Sequence, residues 1–250
     1  MVAAARSIRP INHTNSMNYY QSPAAVIDLP ETDRATFIRR TYAHLAGALL
    51  VFGILEYVFL TSGFAKTLAS VMLGGRWSWL IVLGAFMLVS FVAQKWATSA
   101  VSRSTQYAGL GLYVIAEAII FAPLLLLATG MDVMIIPKAA LITTGLFLGL
   151  TWVAFTTKKD FSFMSGMLKI GGFIALGTIL ASIIFGFNLG IIFSSLMVVL
   201  LAGTILYQTS NVLLHYQTTQ DVAASLALFA SFVTLLWYVI RILMSLSNNR

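Results

Sequence analysis

Seven stretches of this chain are each long and apolar enough to cross a bilayer, and together they take up nearly everything after residue 40. A spanning helix needs about 20 predominantly apolar residues. From residue 170 to residue 220 no Asp, Glu, Lys or Arg occurs at all, which leaves room for two crossings divided only by a turn. That turn is expected at Gly186-Phe187-Asn188-Leu189-Gly190, where two glycines and an asparagine supply the backbone freedom of a tight connection. Charged residues make up 9% of the chain, against about 25% in a soluble domain, so water is the wrong solvent for most of it.

Bracketing charges and loop residues place the spans at 43–62, 77–94, 107–128, 135–155, 167–187, 189–214 and 222–244. The runs are continuous rather than alternating, and lipid leaves no partner for open backbone groups, so helices are expected and a barrel is not. The fold class is an all-α integral membrane protein with seven transmembrane helices. Residues 1–33, with Pro10, Pro23, Pro30 and three asparagines but no helical period, read as a disordered cytoplasmic N-terminal tail. Residues 34–250 form the transmembrane domain. No signal-peptide pattern precedes the first span, which reads as an anchor.

Basic residues near the spans set the expected orientation. Arg34, Arg39, Arg40, Lys95, Arg103, Lys158, Lys159 and Lys169 fall on the tail side, and Lys66, Arg76, Lys138, Arg241 and Arg250 on the other. Eight against five favours a cytoplasmic N-terminus and, with an odd number of spans, an outside C-terminus; short loops and the lack of an organellar targeting segment favour the inner (plasma) membrane of a bacterium. The +7 net charge belongs to these loops, and lipid headgroups rather than nucleic acid are its expected partner.

Several chemistries are disfavoured. Cysteine is absent and the histidines are His13, His44 and His215, far apart in sequence, so neither a metal centre nor a cofactor is expected. Asp132, Asp160 and Asp221 sit in loops or at span ends, so no aspartyl-protease dyad lies within the membrane. The last span has no lysine to hold a retinal. No catalytic residue is assigned.

The informative side chains are polar ones at membrane depth, where a charge costs about 2.5–3.5 kcal/mol on insertion scales. Glu117 lies near the middle of the third span, and Glu56 lies in the outer half of the first, where headgroups, Arg76 or Arg241 are its expected partners. In the sixth span Thr204, Tyr207, Gln208, Asn211 and His215 recur at steps of three and four, as do Ser231, Thr234, Tyr238 and Arg241 in the seventh. Glu117, Gln208, Asn211, Ser231 and Thr234 are therefore expected to form one buried cluster. It reads either as interhelical glue or as the lining of an ion path. Tyr238 and Arg241, with Glu56, form an outer-half polar group. Gly145 and Gly149, and Gly177 with Ala181, have the small-xxx-small spacing of close helix packing. Pro123 is expected to loosen the helix just beyond Glu117.

The run Leu206-Tyr207-Gln208-Thr209-Ser210-Asn211, the segment Ala223-Ala224-Ser225-Leu226-Ala227-Leu228-Phe229 and the closing Tyr238-Val239-Ile240-Arg241-Ile242-Leu243 resemble the Bax inhibitor family, in its bacterial YccA-like branch. The basic stretch 36–42 and the stretch 113–123 extend the resemblance over about residues 34–245. It implies six helices around a central C-terminal seventh. It also implies two functional themes. One is a pH-sensitive calcium leak resting on an aspartate pair in the last two helices; those positions fall on Gln208 and Ser231, which cannot share a proton as two carboxyls do. The other is membrane-protein quality control through contact with the protease FtsH, for which an unstructured tail offers a point of engagement. The sequence reading favours the second theme.

Overall fold

In a computed structural model, residues 25–99, 102–157 and 159–248 are described. Helices α1 (Glu31–Thr61), α2 (Phe64–Met72), α3 (Arg76–Ala97), α4 (Arg103–Met131), α5 (Ile135–Thr157), α6 (Met164–Phe185), α7 (Ile191–Leu214) and α8 (Asp221–Asn248) follow one another in the chain, with a 3-10 turn at Val26–Asp28 before them. All but α2 are long and apolar enough to span a bilayer. The seven expected spans are present.

Apolarity marks only the part of a helix that lies in lipid, and the helices run beyond it. α1 begins at Glu31, twelve residues before the first apolar run, with Glu31 and Asp33 in its first turn opposing the helix dipole. Residues 25–33, read from sequence as part of a disordered tail, are ordered: Ala25 bridges to Gln217, and the buried Val26 donates its N–H to the Tyr216 carbonyl at 2.9 Å. Residues 1–24 of that tail lie outside the described residues. α2 was not expected at all; nine residues are too few for a span, and its Ala65 and Met72 are buried while Lys66 and Thr67 stay outside. The turn between α6 and α7 falls where two glycines mark it. Gly186 takes φ +75° and closes α6 by donating to the Ser182 carbonyl at 2.9 Å.

The last helix is the core. α8 packs against α1, α3, α4, α5 and α7 and, with α4, carries most of the buried side chains. α6 is the outlier, its backbone packing closely on α7 and α3 only. Large apolar side chains such as Leu88, Phe91, Leu141, Trp152 and Phe173 point outward, as expected where the surroundings are acyl chains. α4 runs unbroken through Pro123.

Glycine spacing misled. Gly145, Gly149 and Gly177 are exposed, with open space where a Cβ would stand. The tight approach is elsewhere: a Cβ on Gly109 of α4 would lie 2.5 Å from the Ala93 carbonyl oxygen and 2.6 Å from the Ala97 nitrogen of α3. Spacing reports that two glycines share a helix face; which face meets a neighbour is settled by the whole bundle.

Inside the bundle aromatic rings pack on one another. Phe52 lies 5.2 Å from Phe121 and 5.9 Å from Phe229, and Tyr113 lies 6.1 Å from Phe229. Phe147 meets Phe232 at 5.4 Å. All four pairs are edge-to-face, the arrangement aromatic quadrupoles favour.

Candidate functional site

The polar residues singled out from sequence divide between two cavities. Glu117 is 6% exposed and Glu56 4%, both among the buried groups. Glu117 lines a cavity of about 520 Å³ between α3, α4, α6 and α8. The same cavity takes Thr234, Tyr238 and Arg241 from α8, Ser182 from α6 and the rings of Trp79, Phe86, Phe121 and Trp237. Asn211 lines a different cavity of about 350 Å³ at the tail end, with Ser162, Tyr207, His215, Tyr216 and Gln220. Gln208 and Ser231 line neither. The expected single cluster is therefore not assembled.

The hydroxyls in it are satisfied locally. Ser231 donates to the Ala227 carbonyl at 3.0 Å and Thr234 to Ala230 at 2.7 Å, each four residues back on its own helix. A polar stripe with that option does not have to reach across a helix interface. Arg241 donates to the Leu189 carbonyl in the α6–α7 turn at 3.0 Å.

Glu56 is not among headgroups. Its carboxyl is buried, neither oxygen has a hydrogen-bond partner among the described residues, and it lies within electrostatic reach of Glu117. Arg241 is engaged at Leu189, and the Arg76 side chain lies outside the described residues. Reading depth from residue count places Glu56 in the outer half of its span; α1 extends past it by a further turn and α2 folds over that end.

A third polar group was missed from sequence. Asp221, the first residue of α8, is fully buried. It is paired with Arg103 through both guanidinium nitrogens and lies 3.5 Å from His44 Nδ1. His44 Nε2 meets the Tyr107 hydroxyl at 3.1 Å, and Gln106 Nε2 donates to the Ser99 and Thr219 carbonyls at 2.8 and 3.2 Å. This network ties α1, α4 and the loop before α8 at the tail end. The sequence signal available was a lone acid opening an apolar run, which reads equally as a helix cap.

Beside it, Asp160, Ser162 and His215 touch in a way that superficially suits nucleophilic catalysis. Ser162 Oγ and Asp160 Oδ2 both meet the same nitrogen, Nε2 of His215, at 3.0 and 3.1 Å. A relay needs the base held through one nitrogen while the other takes the serine proton, so this contact is an exposed loop clasp. The Ser162 hydroxyl and backbone N–H, and then His215, hold the Asp160 carboxyl down at about 2. A depressed carboxyl contributes above its ordinary value and loses that contribution only as pH falls through about 2, so the Asp160 carboxylate stays charged at physiological pH. Among the described residues no group of three His, Cys, Asp or Glu side chains is arranged to hold a metal ion.

A sequence model of the family described as "Inhibitor of apoptosis-promoting Bax1" matches residues 34–249. The chain belongs to the Bax inhibitor family. A protein of Schizosaccharomyces pombe named Bax inhibitor 1 is 26% identical over 242 residues, covering 94% of this chain and 85% of that one. An uncharacterized protein of Pseudomonas aeruginosa is 29% identical over 217 residues, 86% of this chain and 91% of its own length. An uncharacterized membrane protein of Vibrio cholerae is 30% identical over 116 residues, 46% of this chain and 52% of that one. Within the Bax inhibitor family, the central last helix and the seven spans are the features this chain presents without ambiguity.

Proposed function

We propose that this Bax inhibitor family member acts without catalysing a reaction, as a plasma-membrane protein of the YccA-like type that modulates membrane-protein quality control by contact with an FtsH-type protease. The N-terminus would lie in the cytoplasm and the C-terminus outside. The observation that carries this reading is that the polar residues singled out from sequence divide between two separate cavities instead of lining one path. Gln208 and Ser231, at the positions where the family resemblance places an acidic switch, line neither cavity. Ala25 is anchored to Gln217, so the chain preceding it starts from the tail-side face, where a cytoplasmic machine would find it. Deleting residues 2–24, and sparing the docked Val26, is expected to lengthen the protein's half-life at least twofold in cells containing FtsH and to leave it unchanged in cells lacking it. An unaltered half-life in both would remove the tail from the mechanism.

A second reading has one specific observation in its favour. Two buried carboxyls, Glu56 and Glu117, lie within electrostatic reach of each other, and acids at membrane depth are by default candidates for an ion pathway. Under this reading the protein is a cation leak, for calcium above all. Calcium flux into protein-containing liposomes tests it: a pH-dependent leak abolished by Glu117→Gln supports conduction, and liposomes no leakier than empty ones exclude it.

A further inference from the structure

We propose that the cavity of about 520 Å³ beside α6 binds a hydrophobic organic monocation, a lipophilic ammonium or phosphonium ion taken from the membrane, with Glu117 as its counter-ion. This inference goes beyond both readings above, sharing only Glu117 with the second, and would stand whether the protein conducts ions, contacts a protease or does neither.

Size comes first. A volume of this order lies within the range of small-molecule sites and is far larger than a dehydrated metal ion needs. The chemistry of the walls points the same way. Trp79 and Trp237 lie nearly parallel, at 21° and 6.4 Å between centroids, and Phe121 stands edge-on to Trp237 at 5.1 Å. Such ring faces carry negative potential and attract a desolvated cation, the more strongly where water is excluded. A hard metal ion instead demands six or more oxygen ligands. Here Glu117 is the one carboxylate, and the Ser182 and Thr234 hydroxyls are turned back to carbonyls of their own helices.

The charges of the wall leave the apolar body of the ligand to decide. Arg241 belongs to the same cavity, drawn aside to the Leu189 carbonyl. Its repulsion of a cation and the attraction of Glu117 both scale with the charge of the ligand, so the two offset one another for monovalent and divalent ions alike. A ligand that also gains from burying an apolar body is therefore the one this cavity favours.

Entry follows from how α6 is held. Its backbone packs closely on α7 and α3 and stands off from α4 and α8, so the cavity is closed on that side by a helix held mainly by two neighbours. An apolar cleft of about 700 Å³ between α6 and α7 shares Asn188, Leu189 and Phe193 with the cavity and provides a route from lipid.

The test uses the full chain in phosphatidylcholine nanodiscs and equilibrium dialysis against tetraphenylphosphonium, with empty discs subtracting simple partition. Saturable binding of one ion per chain is expected, weakened at least tenfold by Glu117→Gln and severalfold by Trp237→Leu. Tetraphenylborate, the anion of the same shape, should bind no better than to empty discs. Should Glu117→Gln fail to fold, Glu117→Asp keeps the charge and should keep binding within a few fold. Binding equal to that of empty discs, binding indifferent to Glu117→Gln, or equal saturable binding of the borate would overturn the proposal. So would displacement of the probe by calcium at equal concentration, which would assign the acid to metal ions. Calcium flux is read separately, so loss of either result leaves the other standing.

Discussion

Arg103→Gln is expected to destabilise the bundle by about 3 kcal/mol, the scale on which removing one member of a buried ion pair acts. The Asp221 side chain is 1% exposed, so it has no water to turn to once the guanidinium is gone, whereas the Arg103 side chain is 45% exposed. That asymmetry makes a second, smaller expectation for the same pair. Asp221→Asn should cost only about 1–2 kcal/mol, because the stranded arginine returns to solvent and the amide still fits the site. Replacing both by leucine should be milder than the sum of the single changes, since no charge is then left buried. Unfolding of the detergent-solubilised protein by a denaturing detergent reads all three. Arg103→Gln within 1 kcal/mol of the parent would mean that His44 and Gln106 satisfy Asp221 without it. The position of the pair explains its leverage: Asp221 opens the central helix, where its charge also meets the positive end of the α8 dipole.

Gly109→Leu should have an effect of similar size for a different reason. Even a single added carbon meets backbone atoms of α3 at 2.5 and 2.6 Å, and backbone cannot rotate away as a side-chain tip can. α3 must move bodily, and overpacking of this kind costs about 1–3 kcal/mol or more. Because Trp79 and Phe86 of α3 form one wall of the cavity that contains Glu117, the same change should widen that cavity and expose the acid. Gly145→Ala is the internal control. It faces open space on the outside of α5 and should be neutral or stabilising by at most about 1 kcal/mol, the helix-propensity gain of alanine over glycine. Thermal unfolding in detergent compares the two, and equal midpoints for Gly109→Leu and the parent would disprove the tight crossing.

These two sites differ in how far they could be read from the chain. Lipid imposes so strong a rule on composition that the number of crossings, the helical class and the Gly186–Gly190 turn follow from the order of residues alone. Glu117 could be picked out for the same reason, as a costly group that must be hidden. Its surroundings could not. Thr234 shares its cavity while Gln208 and Ser231 do not, since a stripe at steps of three and four fixes a face of one helix and says nothing about the rotation of the next. Counting residues from an apolar boundary places Glu56 in the outer half of its span among headgroups or arginines, and the extension of α1 and the presence of α2 move that boundary.

What the amino-acid order determined, then, was the solvent and the elements: a chain with so few charges can satisfy its backbone in a bilayer only as helices, and its turns fall where glycine and asparagine permit them. The tertiary structure decided which polar groups meet. It set Asp221 on Arg103, brought Glu56 within reach of Glu117, and closed α4 onto α3 at Gly109. The physical reason is that hydropathy acts residue by residue along the sequence, whereas ion pairs, cavities and close crossings depend on how each helix is rotated and staggered against all the others.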